Sequence, residues 1–159
     1  MKENGLKCSI SGSFFKFKPE IDHLIDEFRG LGITVLAPSK GWLEISPLRI
    51  SSYPATFRPL PNEVGMSVKE IEDEFLRSVA NSDFLYICNP DKYLGDSTCF
   101  EIGFALGKNI PCYSLWPVTN FDGHSGDDLY WRSLAGKIQS LMPEAVVELF
   151  TKTGKEGGL

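Results

Sequence analysis

A doubly wound α/β domain is what this sequence predicts, on three observations. Short apolar runs of strand character alternate with longer runs of helical spacing from residue 6 to residue 150. Several of the strand runs are apolar throughout, as strands covered on both faces are, and that pattern belongs to a parallel sheet between two helical layers. The 159 residues suit one domain with a real core, and neither an internal repeat nor a linker divides them.

The elements follow in order. Leu6 to Ser11 reads as a short buried strand broken by Gly12-Ser13. Pro19 to Leu31 has apolar residues at Ile21, Leu24, Ile25, Phe28 and Leu31, a helical spacing ended by Gly30 and Gly32. Ile33 to Ala37 is a second strand, completing a βαβ unit. Residues 38–62 differ, with Pro38, Pro47, Pro54, Pro59 and Pro61 among Trp42, Tyr53 and Phe57. We expect an ordered insertion or flap there, or a subunit contact, since long connections in compact domains are usually functional. Ser67 to Asn81 is a helix with Val68, Ile71, Phe75 and Val79 on one face, and Ser67 with Glu70 spells a capping box. Asp83 to Asn89 is the third strand, Thr98 to Leu106 the third helix, closed by Gly107, and Ile110 to Leu115 the fourth strand. A loop leads to an expected helix over 128–142, with Leu129, Leu134, Ile138 and Leu141 inward, and then a last strand, Ala145 to Phe150. The expectation is a flavodoxin-like domain over residues 1–150, with a mostly parallel sheet of about five strands and a flexible tail over 151–159.

Composition excludes several classes. Net charge is −5 with no Lys/Arg cluster, which argues against a nucleic-acid-binding face. No run of about 18 apolar residues is present to span a membrane. The opening MKENGLKCSI has neither the apolar core nor the cleavage site of a signal peptide, and a cytoplasmic location is expected. Cys8, Cys88, Cys99 and Cys112 form no CxxC and read as free thiols in a reducing compartment. No metal-ligand spacing, GxGxxG, GxxxxGK[ST] or GxSxG occurs, so no metal or cofactor is expected.

One stretch concentrates chemistry. The strand FLYICN runs into a Pro- and Gly-broken loop and restarts as a helix carrying Glu101 in its expected first turn. Ligands of open α/β sheets bind beyond the carboxyl ends of strands, facing helix N-termini. Asp96, Ser97 and Thr98 supply carboxylate and hydroxyl groups for a sugar, and Gly95 permits close approach. Thr98 with Glu101 equally spells S/T-x-x-E, a capping box in which the glutamate only bonds back to its cap. Ser11-Gly12-Ser13, ending the first strand near Lys16 and Lys18, offers either a phosphate-holding turn or an ordinary strand-to-helix turn. His23 and His124 are isolated and read as structural or solvated.

The segment NPDKYLGDSTCFEIGFALGKNIPCY resembles the nucleoside 2-deoxyribosyltransferase superfamily, including its nucleotide N-glycoside hydrolase branch. The resemblance is carried by Gly95, Ser97, Thr98, Glu101, Ile102, Gly103, Phe104 (in place of Tyr), Ala105, Gly107 and Lys108 over about 25 residues. It implies that Glu101 attacks the anomeric carbon of a nucleoside or nucleoside 5′-monophosphate and expels the base, and that water or a second base resolves the glycosyl-enzyme. It implies substrate contacts from Gly12, Ser13, Gly95, Asp96, Ser97 and Thr98, and a homodimer or higher homo-oligomer. The family's acid on the helix before the third strand aligns with Phe75, beside Asp73 and Glu74, and its aromatic residue before the Gly-Ser loop aligns with Cys8 or Ser9, both departures. The family's intersubunit loop after the fourth strand here holds Asn120, Asp122, His124 and Ser125. Two other readings stay open: a non-catalytic nucleotide- or sugar-binding module on the same fold, and a partner-binding protein using the aromatic stretch 42–57.

Overall fold

The computed structural model describes residues 5–41, 60–118 and 136–156. Within them a five-stranded, wholly parallel sheet runs in the order β2-β1-β3-β4-β5. The strands are β1 (Lys7–Gly12), β2 (Thr34–Ala37), β3 (Phe84–Cys88), β4 (Cys112–Ser114) and β5 (Ile138–Ser140). The helices are α1 (Phe14–Gly30), α2 (Val68–Ala80), α3 (Asp96–Gly107) and α4 (Pro143–Glu156). This order reverses between β1 and β3, the place where the carboxyl ends of neighbouring strands open a crevice in flavodoxin-like sheets.

Strand alternation divides the core. Cys8 and Ile10 of β1, with Phe84, Tyr86 and Cys88 of β3 and Tyr113 of β4, face α1 through Ile21, Leu24, Ile25 and Phe28, and α4 through Val146. Leu85, Ile87 and Cys112 face the other way, onto Phe75 and Val79 of α2 and Ile102 and Ala105 of α3. β3 is buried along its whole length, as its unbroken apolar sequence requires. On β1 the α2/α3 face consists of Ser9 and Ser11, both fully buried. Two small residues leave room there, and each hydroxyl finds a partner: Ser9 pairs with Ser82 at 2.9 Å, and Ser11 donates to Glu101.

Several junctions hold the sheet edge from which the site opens. The side chain of Asn89, fully buried, donates to the Trp116 carbonyl at 3.0 Å and accepts from the Trp116 N–H at 2.9 Å, fastening the ends of β3 and β4 together. Tyr86 Oη donates to the Leu141 carbonyl at 2.8 Å, which ties β3 to the start of α4. Buried Lys18 lies 2.5 Å from Asp22 and donates to the Ser39 carbonyl at 3.0 Å, securing the turn after β2 against α1.

Four sequence expectations need correction. Residues 138–140 form the edge strand β5 rather than the end of a helix; only Ile138 of the three is buried, and pairing with β4 decides the conformation. Ala145 to Phe150 is helical, inside α4, where Pro143 occupies the first turn and Val146, Val147 and Phe150 pack on the sheet. The expected loose tail over 151–159 is helical as far as Glu156. The third helix begins at Asp96, capped by Gly95 in extended conformation, so Thr98 is an interior residue and Glu101 stands in the second turn. The main body of α1 does begin near Pro19, but a single turn from Phe14 precedes it across a kink at Phe17. The 38–62 insertion lies mostly outside the described residues, as does the expected helix up to residue 135.

Candidate functional site

Glu101 sits where the sequence argument needs it, but for a different local reason. Thr98, Glu101, Ile102 and Ala105 are the buried residues of α3, spaced i, i+3, i+4 and i+7, so Glu101 lies on the face turned toward the sheet. Its Oε2 accepts a hydrogen bond from Ser11 Oγ at the end of β1. The glutamate therefore bridges to the sheet and does not cap its own helix. The capping-box spelling is realised instead at Ser67–Glu70, where Glu70 N–H donates to Ser67 Oγ at 3.2 Å and Glu70 accepts from the Ser67 N–H at 2.7 Å.

A cavity of about 390 Å³ opens over Glu101 at the β1/β3 switch point. One wall is the β1–α1 turn with Gly12, Ser13, Phe14 and Phe15. A second is the start of α3, with Gly95, Asp96, Ser97 and Thr98. The third comes from α2 and the turn before it, through Leu60, Glu63, Val68, Ile71 and Glu72. A smaller lobe of about 70 Å³ shares Phe14, Leu60, Glu63, Ile71, Glu72 and Glu101 and reaches Ala37, Pro38, Phe75 and Ser78. All seven residues singled out from sequence (Gly12, Ser13, Gly95, Asp96, Ser97, Thr98 and Glu101) thus line one cavity. Gly12 has a packing reason as well: a Cβ there would lie 2.7 Å from the Cys88 carbonyl oxygen, so β1 and β3 approach this closely only with glycine.

The lysines near the first turn do not line this cavity. Lys16 stacks over the Tyr93 ring, 3.6 Å from its centroid, and Lys18 is engaged by Asp22 and Ser39. Phe75, the position aligned with the family's acid, is a core residue in edge-on contact with Phe14 at 6.2 Å. Its neighbours Asp73 and Glu74 are exposed and pair with Lys69 and Arg77, and Glu74 also borders the smaller lobe. His23 is exposed on α1, while Asn120, Asp122, His124 and Ser125 lie outside the described residues.

Two carboxyls escaped the sequence reading, Glu72 and Glu63. On α2, Glu72 falls four residues after Val68 and three before Phe75, inside the apolar arc, and a charge in that arc was the legible signal. Its Oε1 is buried and accepts no hydrogen bond among the described residues. Glu63, also buried, holds the Leu60 N–H at 2.6 Å; nothing in its sequence neighbourhood marks it.

Burial governs the charge of all three. Desolvation raises the Glu101 carboxyl to about 8; the Ser11 hydroxyl opposes this, and the charge of Glu72 adds to it. Desolvation raises Glu72, with Asp73 contributing, and raises Glu63 against the opposing effects of the Leu60 N–H and Lys18. The arrangement can hold a proton on one carboxyl while a neighbour is ionised, the condition for dividing acid and nucleophile roles between two carboxyls. Among the described residues no cluster of His, Cys, Asp and Glu is arranged to hold a metal ion.

Fold and cavity define a doubly wound α/β protein with a carboxyl-lined crevice at its switch point. No protein-family model matches the sequence, and no curated protein matches it. The fold is similar to that of a conserved protein from Enterococcus faecalis V583, known from a crystal structure, with 18% identity and a TM-score of 0.62 over 94% of this chain and 99% of that one. That likeness concerns the fold. No helix among the described residues is long and apolar enough to cross a membrane.

Proposed function

We propose that this protein belongs with the nucleoside 2-deoxyribosyltransferase superfamily and cleaves or transfers at the N-glycosidic bond of a nucleoside or nucleoside 5′-monophosphate. The observation that carries the reading is the pairing, in one crevice, of buried Glu101 with a second inward carboxyl, Glu72. A Glu101 oxygen attacks the anomeric carbon as the carbon–nitrogen bond breaks, giving a glycosyl ester. Glu72 delivers a proton to a ring nitrogen of the departing base, then takes one from the water or incoming base that resolves the ester. Ser11 holds the nucleophile's other oxygen and favours its ionised form. Asp96, Ser97 and Thr98 hold the sugar hydroxyls, and Gly12-Ser13 lies toward the 5′ end. We infer a homodimer or higher homo-oligomer, and a cytoplasmic location, from the same resemblance and from the free thiols.

A binding module without turnover is favoured by the burial of Glu101: desolvation raises its carboxyl to about 8, which leaves it mostly protonated at neutral pH and a poor nucleophile. Chromatographic base-release assays separate the two readings. Wild type, Glu101→Gln and Glu72→Gln are incubated with nucleosides and their 5′-monophosphates, with and without a second free base. We expect release by wild type, loss by several orders of magnitude in Glu101→Gln, and a reduction of about 10²–10⁴-fold in Glu72→Gln. Nucleoside binding without release in a folded wild type selects the module.

A further inference from the structure

The small lobe beside Glu63 and Glu72 has no task in the reaction as written. It is small, about 70 Å³, and its lining combines apolar Ala37, Pro38, Ile71 and Phe75 with carboxyls at its edge, which suits the edge of a planar ring rather than a sugar. Three carboxyls stand at its junction with the main cavity, since Glu63, Glu72 and Glu101 line both; Glu101 is taken by the sugar, which leaves Glu63 and Glu72 for the base. One of their oxygens, Glu72 Oε1, is buried and accepts nothing among the described residues. A buried acceptor without a donor is costly, and a ligand N–H would relieve it. Glu63 is held in place by the Leu60 N–H at 2.6 Å, so its carboxyl is positioned before any ligand arrives.

We propose that Glu63 and Glu72 read the leaving base, selecting bases in which a ring nitrogen acceptor stands beside an exocyclic amine. This rests on the N-glycosidic reading of the site. A carboxyl group is complementary to such an edge: its O–H donates to the ring nitrogen while its other oxygen accepts one amine hydrogen. Glu72 makes that pair, and its proton passes to that ring nitrogen as the glycosidic bond breaks and its electron pair moves into the ring. Glu63 accepts the second amine hydrogen. A base with an oxo group at the same position presents N–H beside C=O, which a neutral carboxyl can still pair, but it sets a carbonyl lone pair against Glu63 and leaves Glu63 without a donor. Adenine and hypoxanthine, or cytosine and uracil, differ in this respect.

The test compares adenine with hypoxanthine in two assays. Calorimetry measures binding of each free base to wild type and to Glu63→Gln, whose amide can donate to a carbonyl. Chromatography measures release from deoxyadenosine and deoxyinosine. We expect wild type to bind adenine at least ~10-fold more tightly than hypoxanthine, to release it correspondingly faster, and Glu63→Gln to narrow or reverse the gap. Equal affinities for the two bases in wild type, or a preference that Glu63→Gln leaves unchanged, overturn the proposal. Adenine preference without release of any base keeps the assignment of Glu63 and Glu72 as amine readers and removes the catalytic reading. Release of both bases with equal efficiency does the reverse. Neither binding nor release removes both. The wild-type comparison decides by itself if Glu63→Gln does not fold.

Discussion

Glu101 is held between two demands. Burial favours its neutral form, and its proposed chemistry needs the anion. The conflict appears in stability, and its sign follows from proton counting. The carboxyl titrates near 8 in the folded protein, against 4.5 for an unperturbed glutamate. Between those values the folded state holds a proton that the unfolded state has released, so stability falls as pH rises through this window and levels above it. Glu101→Gln keeps an acceptor for Ser11 and removes the titration. Thermal unfolding at several pH values should show wild type and variant alike near pH 5, with the variant's Tm advantage growing toward pH 9. The gap should correspond to a few kcal/mol. A gap independent of pH would mean that Glu101 titrates normally. The same residue marks a limit of sequence reading. Ser67-x-x-Glu70 and Thr98-x-x-Glu101 are spelled alike, yet only the first is a capping box. Ser67 is exposed, and its Glu70 has nothing better to bond; Glu101 faces buried Ser11 on a strand 90 residues earlier. A local motif does not contain that long-range partner.

At the scale of elements, the crevice exists because β1 and β3 approach each other closely at their carboxyl ends. Gly12 permits this. An added methyl would stand 2.7 Å from the Cys88 carbonyl oxygen and 3.3 Å from Ile21 Cδ1. Gly12→Ala should destabilise the fold by about 1–3 kcal/mol, read as a lower denaturation midpoint with unchanged slope. An unchanged midpoint would show that the strand ends have room to separate. Sequence periodicity was sufficient for β1 to β4 and for the first three helices because each has a sustained apolar pattern. It misled over the last two elements. β5 has three residues and one buried side chain, too short for any period, and its conformation comes from pairing with β4. Ala145 to Phe150 is rich in β-branched and aromatic residues, yet buried Val146 and partly buried Val147 and Phe150 need a helix to reach one surface.

Across the whole molecule, α4 is the element whose correction changes the architecture, since it covers the half of the sheet that α1 leaves open. Val146 is fully buried in that layer, whereas Leu149 on the same helix is 40% exposed. Val146→Asp should cost more than about 3 kcal/mol by burying an unpaired charge, and Leu149→Ser should be tolerated within about 0.5 kcal/mol. Urea denaturation of the two variants checks this, and equal losses would contradict the helical placement. With α1 and α4 on one face and α2 and α3 on the other, the switch point is left to the β1–α1 turn, the start of α3 and the carboxyls of Glu63, Glu72 and Glu101. The seven site residues from sequence all came from the two segments after β1 and β3, which chain order makes adjacent in a doubly wound sheet. Glu63 and Glu72 reach the same place from a third segment, and only the packing of α2 brings them there.

The central claim is a covalent glycosyl ester on Glu101, and rapid acid quenching followed by mass spectrometry tests it most directly. Wild type mixed with a nucleoside that it cleaves should gain the mass of the sugar residue, with the modified carboxyl located at Glu101 after digestion, and Glu101→Gln should gain nothing. Base release with no adduct, or an adduct on another residue, would contradict the account.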